Sequence, residues 1–184
     1  MAPNDSLQID EHSTHTVRAL VADLLMKNNW LLSTAESCTG GLIAASCTDL
    51  AGSSAWFERG FVTYSNAAKT EMLGVDAALI AQHGAVSEAV VRAMAAGALA
   101  HSHAQVAIAV TGIAGPSGGT DEKPVGTVWF GWASPRGLIC AKQQFDGDRL
   151  HIRNLAVQYA LTNLYKCLQH EAPHTYCSVK LTKH

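Results

Sequence analysis

The chain reads as a three-layer α/β/α sandwich built on a mixed sheet of about five strands. Three observations lead there. Residues 106–110, Val-Ala-Ile-Ala-Val, form a continuous apolar run, the pattern of a central strand covered on both faces. Strand-like and helix-like segments alternate before and after that run, as in α/β domains. Late in the chain, two strand-like runs at 127–133 and 138–145 flank Ser134-Pro135-Arg136-Gly137, a hairpin turn that makes part of the sheet antiparallel.

The elements follow in order. Val17, Leu20, Val21, Leu24 and Leu25 have helical spacing and predict a helix over 14–27, ended by Asn28-Asn29. Trp30, Leu31 and Leu32 open a strand over 30–35, which passes through a polar, glycine-containing turn into a helix over 42–49. Residues 51–54 are a loop, and a β-type run covers 57–64. It stops at Ser65-Asn66, good N-cap residues, where a short helix begins. With Asn66 as the cap, Lys69 is the third helical residue. A second short helix over 76–82 stops at His83-Gly84, and Ser87 opens a long alanine-rich helix to residue 100. A glycine-rich loop over 111–126 follows the central strand, and the last helix covers 149–168. Polar ends, 1–10 and 171–184, read as flexible flanks of a single domain at 11–170.

Bulk properties narrow the function. At 184 residues, with 48% hydrophobic and 15% charged, the chain can bury a substantial core. A net charge of −2 and a pI near 6.5 argue against a nucleic-acid or anionic-membrane surface. No apolar stretch reaches the roughly 20 residues of a membrane span. The first residues, Met1 to Ser6, lack the basic and apolar segments of a secretory signal. Five scattered cysteines without a C-x-x-C fit a reduced cytoplasm. Nine histidines form neither H-E-x-x-H nor a paired Cys/His spacing, so no metal site is expected. Trp56, Trp129 and Trp132 fit core or rim positions better than a base-stacking platform. Apolar helix faces would suit a homo-oligomer.

Two windows carry chemistry. Thr34-Ala35-Glu36-Ser37-Cys38-Thr39-Gly40-Gly41 places a serine where a strand turns into a helix. Tyr64-Ser65-Asn66-Ala67-Ala68-Lys69 places a lysine in the first turn of another. There a cation faces the positive end of the helix dipole, so the lysine loses its proton more easily and becomes a base. A serine hydroxyl and a neutral lysine amine can act together on a carbonyl carbon. Turn amides near Ser37 would sit beside a developing oxyanion. The bland alternative makes Ser37 a helix N-cap and Lys69 a surface lysine. The loop Thr111-Gly112-Ile113-Ala114-Gly115-Pro116 leaves the carboxyl end of the central strand, where α/β ligands bind, or is merely a long hairpin connection. Arg149 and Arg153, four apart at a helix start, are poorly placed unless an anion joins them or they are solvated.

With these windows in hand, residues 31–168 resemble the CinA-type C-terminal domain, the bacterial nicotinamide-nucleotide amidohydrolase family. The resemblance rests on Ala35 to Gly41, Gly52-Ser53-Ser54 with Trp56 to Gly60, Tyr64 to Lys69, and Gly84-Ala85-Val86-Ser87. It continues through Thr111 to Pro116, Lys123-Pro124-Val125-Gly126-Thr127-Val128 and Gly147-Asp148-Arg149. It implies hydrolysis of the carboxamide of nicotinamide mononucleotide to nicotinate mononucleotide and ammonia, without metal or cofactor. By that analogy Ser37 is the nucleophile, Lys69 its base and Tyr64 a supporting donor. Arg149 becomes a phosphate or substrate contact. Cys38, Thr39, Gly40, Thr111, Gly112, Gly115 and Arg153 complete the expected substrate-binding set. The amino-terminal domain of two-domain relatives has no counterpart, so the stand-alone enzyme form is expected. Two rivals stand beside this reading. One is a regulatory or nucleotide-binding module linked to competence and DNA damage. The other is a hydrolase of another nucleotide amide or of a pyrophosphate.

Overall fold

The computed structural model describes residues 11–169, so both flexible ends expected from the sequence lie outside the described residues. Five strands form one sheet in the order β2-β1-β3-β4-β5. β1 (Leu32–Glu36), β2 (Phe57–Val62) and β3 (Val106–Gly112) run parallel, and β4 (Thr127–Ser134) and β5 (Gly137–Gln144) complete the sheet antiparallel. The hairpin is as expected: Ser134 pairs with Gly137 across a two-residue turn. α1 (Glu11–Lys27), α2 (Leu42–Thr48) and α6 (Arg149–Gln169) share a core with one face of the sheet. α3 (Asn66–Leu73), α4 (Ala77–His83) and α5 (Glu88–Ala100) pack with the other. The three-layer sandwich is therefore present.

Period-two alternation sorts the side chains of the buried strands. In β3, Val106, Ile108 and Val110 join the α1/α2/α6 core, while Ala107 and Ala109 join the α3/α4/α5 core. Every residue of β1 is buried although Ser33, Thr34 and Glu36 are polar. Parallel partners on both sides satisfy its backbone, from Leu32–Val106 through Glu36–Val110 on one flank. That pairing starts β1 two residues later and ends it one residue later than the apolar run suggested: Trp30 and Leu31 precede it, and Arg136 lies over the Trp30 ring at 5.6 Å.

One close approach matters to the site. Gly97 of α5 lies so tightly against the Leu73 carbonyl of α3 that a Cβ would overlap it. α3 carries Lys69, so this contact sets how deep the lysine sits. No helix among the described residues is long and apolar enough to cross a membrane.

Candidate active site

The parallel strands point their carboxyl ends at one edge of the sheet, and the chain order reverses between β1 and β3 there. Ligands of α/β folds bind at that kind of switch point. Ser37 directly follows β1 and extends its ladder, its amide donating to the Val110 carbonyl at 3.0 Å. The chain then turns through Gly40 (φ 60°) and Gly41 (φ 97°), left-handed positions that suit glycine. Ser37 is not the cap of α2. Gly41 holds that place and has no side chain to offer, so Glu36 reaches forward instead. Its carboxylate accepts from the amides of Gly41 (3.1 Å), Ile43 (3.0 Å) and Ala44 (2.8 Å). A fully buried anion is thereby held at the positive end of a helix. Sequence reasoning assigned Glu36 no role; the signal was an acidic residue just ahead of a glycine-capped helix.

Lys69 arrives from the other side. Its helix is capped by Ser65, not Asn66: the Ser65 hydroxyl accepts from Ala68 N at 3.0 Å. Lys69 is therefore the fourth helical residue. β2 was expected to continue through Tyr64 but ends at Val62, and the Thr63 carbonyl beyond it accepts from Lys69 Nζ at 2.9 Å. The same Nζ lies 3.1 Å from Ser37 Oγ. Lys69 is 1% exposed, so it is no surface lysine. Among the described residues no carboxylate pairs with it. Burial pushes its pKa below the ordinary lysine value.

A cleft of about 230 Å³ opens over this pair. Ser37, Cys38, Tyr64, Lys69, Thr111, Gly112 and Arg149 line it, together with Asn66, Ala85, Val86 and Ala114. A Cβ on Gly112 would come within 3.1 Å of Val128, Thr127 O and Cys38 Sγ, so a bare backbone is required beside the serine. Burial raises the Cys38 thiol to about 12, which keeps it neutral. The glycine-rich segment expected over 111–126 begins in β3 and joins it to antiparallel β4, and Thr111, Gly112 and Ala114 at its start line the cleft.

The two arginines separate. Arg149 opens α6 behind Asp148, which accepts from His151 N at 2.8 Å. At the cleft it donates to the Gly115 carbonyl (2.7 Å) and to the Tyr64 hydroxyl (2.8 Å). Arg153 sits one turn on, outside the lining, and donates to the carbonyls of Cys38 (3.1 Å) and Thr39 (2.9 Å). Thr39, Gly40 and Gly115 likewise back the cleft rather than line it. Sequence reasoning missed the wall at Ala85–Val86, held by Thr111 Oγ1 donating to Ala85 O at 2.9 Å. Another hollow, of about 240 Å³ along α6, contains no nucleophile paired with a base.

The family profile described as the CinA C-terminal domain matches residues 14–168. The chain belongs to the CinA C-terminal domain family. Curated relatives of this CinA domain include the nicotinamide-nucleotide amidohydrolase PncC of Enterobacter agglomerans, 54% identical over 83% of this chain and 94% of the relative. PncC of Escherichia coli K12 is 50% identical over 90% and 96%. Among solved structures, competence damage-inducible protein A of Klebsiella pneumoniae superposes with a TM-score of 0.82 at 45% identity, covering 85% of this chain and 98% of that one. A CinA-superfamily protein of Escherichia coli gives 0.83 at 34% identity, covering 90% and 99%.

Proposed function

We propose that this CinA domain is a nicotinamide-nucleotide amidohydrolase, converting nicotinamide mononucleotide and water to nicotinate mononucleotide and ammonia. The relatives named PncC support the substrate class. The observation that carries the mechanism is the 3.1 Å contact between Lys69 Nζ and Ser37 Oγ at the base of the cleft. One Nζ hydrogen is held by the Thr63 carbonyl, so an uncharged amine can turn its lone pair to the serine hydroxyl.

The chemistry follows from that arrangement. Ser37 Oγ attacks the carboxamide carbon while Lys69 Nζ takes its proton. Lys69 returns the proton to the departing nitrogen, and ammonia leaves an ester on Ser37. A water then gives a proton to Lys69 as its oxygen attacks the ester carbon; Lys69 returns that proton to Ser37 Oγ as the ester bond breaks, releasing nicotinate mononucleotide and the free serine. The substrate's pyridinium cation, close to Lys69, further disfavours the ammonium form. Arg149, at the cleft mouth, contacts the phosphate, and Tyr64 holds the guanidinium there. The deciding experiment is ammonia release from nicotinamide mononucleotide by the purified protein. No release under conditions where a PncC enzyme turns over would remove the assignment.

A further inference from the structure

Two walls of the cleft hang from different parts of the chain. Ala85 and Val86 lie between the end of α4 and the start of α5, while Gly112 and Ala114 open the connection from β3 to β4. Among the described residues, two side-chain hydrogen bonds cross between these segments. Thr111 makes the inner one, to Ala85 O. Lys123 makes the outer one: its Nζ donates to the His83 carbonyl at 3.0 Å, 40 positions away. That carbonyl closes α4, so the ammonium sits at the negative end of a helix, where a cation is favoured. Asp121 and Glu122 precede Lys123 in the chain, yet among the described residues no carboxylate pairs with it.

The connection is built to carry that tie inward. A turn presents the lysine: Thr120 N donates to Lys123 O at 2.9 Å, and Lys123 N to Thr120 Oγ1 at 3.1 Å. The returning arm then packs on the outgoing one. A Cβ on Gly115 would fall 2.6 Å from the Val125 side chain, and one on Gly119 would fall 2.7 Å from Val125 N. Below them Gly126 N donates to Ile113 O at 2.7 Å. The two arms therefore move together, and what holds Lys123 also holds Gly115. The Gly115 carbonyl is where Arg149 Nη1 is anchored.

We propose that Lys123 is a positioning residue for substrate binding. By fastening the connection to the end of α4 it fixes the Gly115 carbonyl, and through it the Arg149 guanidinium that receives the phosphate. This deepens the amidohydrolase reading and rests on it. Lys123 stands outside the cleft lining, so it touches neither the substrate nor the reacting atoms. Its loss therefore acts on binding of the phosphorylated substrate and not on the chemical step.

The test measures KM and kcat of wild type, Lys123→Met, Lys123→Gln, Lys123→Arg, Arg149→Ala and the Lys123→Met/Arg149→Ala double variant. The substrates are nicotinamide mononucleotide and its phosphate-free riboside. Two results secure the parent reading separately: turnover of the mononucleotide by wild type, and a larger loss on the mononucleotide than on the riboside in Arg149→Ala. Failure of either removes that reading and overturns the proposal with it. Lys123→Met should raise KM for the mononucleotide about fivefold, with kcat and the riboside KM within about twofold of wild type. In the double variant it should add less than about twofold to the Arg149→Ala loss, because both changes act through one contact. Lys123→Arg, which still offers a charged donor to His83 O, should restore most of the affinity. Lys123→Gln, a neutral donor, should fall between and carries the test if the Met variant fails to fold. Equal KM increases on both substrates would make Lys123 a general support of the fold and overturn the proposal. Losses that add fully in the double variant would make it a direct phosphate contact and do the same. So would a mononucleotide KM within about twofold of wild type in Lys123→Met, or no recovery in Lys123→Arg.

Discussion

Lys69 Nζ stands 3.1 Å from Ser37 Oγ, although the two residues lie 32 positions apart on different elements. Ser37 is fixed by the end of β1, Lys69 by the depth of α3, and the Thr63 carbonyl orients the amine between them.

Ser37→Ala removes one hydroxyl and should abolish turnover while leaving thermal stability and substrate affinity close to wild type. Steady-state kinetics, a melting curve and calorimetric titration check it. Mass spectrometry of wild type quenched during turnover should find the acyl group on Ser37. Substantial residual activity in the alanine variant would falsify the covalent route.

Lys69→Arg should be nearly inactive, because arginine keeps its charge and cannot act as a base at neutral pH. For wild type, the rate should rise with pH along a one-group limb whose apparent pKa lies below that of free lysine, as burial directs. An arginine variant with most of the activity would leave Lys69 as a positive charge only.

The same burial makes stability pH-dependent. The folded-state pKa of Lys69 is lowered, so the unfolded chain binds more protons between that value and the ordinary 10.5. The lysine therefore favours folding less as pH falls through that window, and its cost is complete below the folded pKa. Lys69→Met lacks this term. Its stability relative to wild type should increase as pH is lowered from about 10 to about 6, measured by urea unfolding. A difference that does not vary with pH would contradict the buried, depressed amine.

Arg149→Ala should weaken binding of nicotinamide mononucleotide about tenfold or more while changing the phosphate-free riboside little. Tyr64→Phe, which loses only the hydroxyl that steadies the guanidinium, should show the same selectivity with a smaller loss. Equal effects on both substrates would separate Arg149 from the phosphate.

Glu36→Gln tests the turn. Its carboxylate accepts three amides with no water access, and an amide group can match only part of that. A loss of about 2–3 kcal/mol in unfolding free energy is expected, accompanied by a lower kcat because Ser37 is the next residue. Gly97→Ala should act from a distance: the added methyl drives α3 away from α5 and moves Lys69. Its kcat should fall with its melting temperature, whereas Gly52→Ala, where nothing lies within 4 Å, should change kcat little.

Much of the molecule follows from local sequence. The Val106–Val110 run, the hairpin at Ser134–Gly137 and the helix start at Ser87 are signals carried by a few neighbouring residues, and each holds in the fold. Ser37 and Lys69 were legible as candidates from their short motifs, and the roles of nucleophile and base were expected from the family resemblance. Their pairing was expected from the resemblance, but the 3.1 Å geometry was not legible, since it depends on the β1–β2 register and the α3–α5 packing together. The ends of β1 and β2 were also misjudged by hydrophobicity alone. Pairing decided both: polar Glu36 stays in β1 opposite Val62 and Val110, while Thr63 turns its carbonyl to the lysine. Arg149 and Arg153 look equivalent on one helix face; only the position of the Ser37 turn against α6 sends one to the cleft and the other behind it. Sequence determined which groups were available and where elements begin, because caps, turns and periodicity are local. Tertiary structure decided which groups meet and which are buried, because desolvation and hydrogen-bond direction belong to the assembled layers.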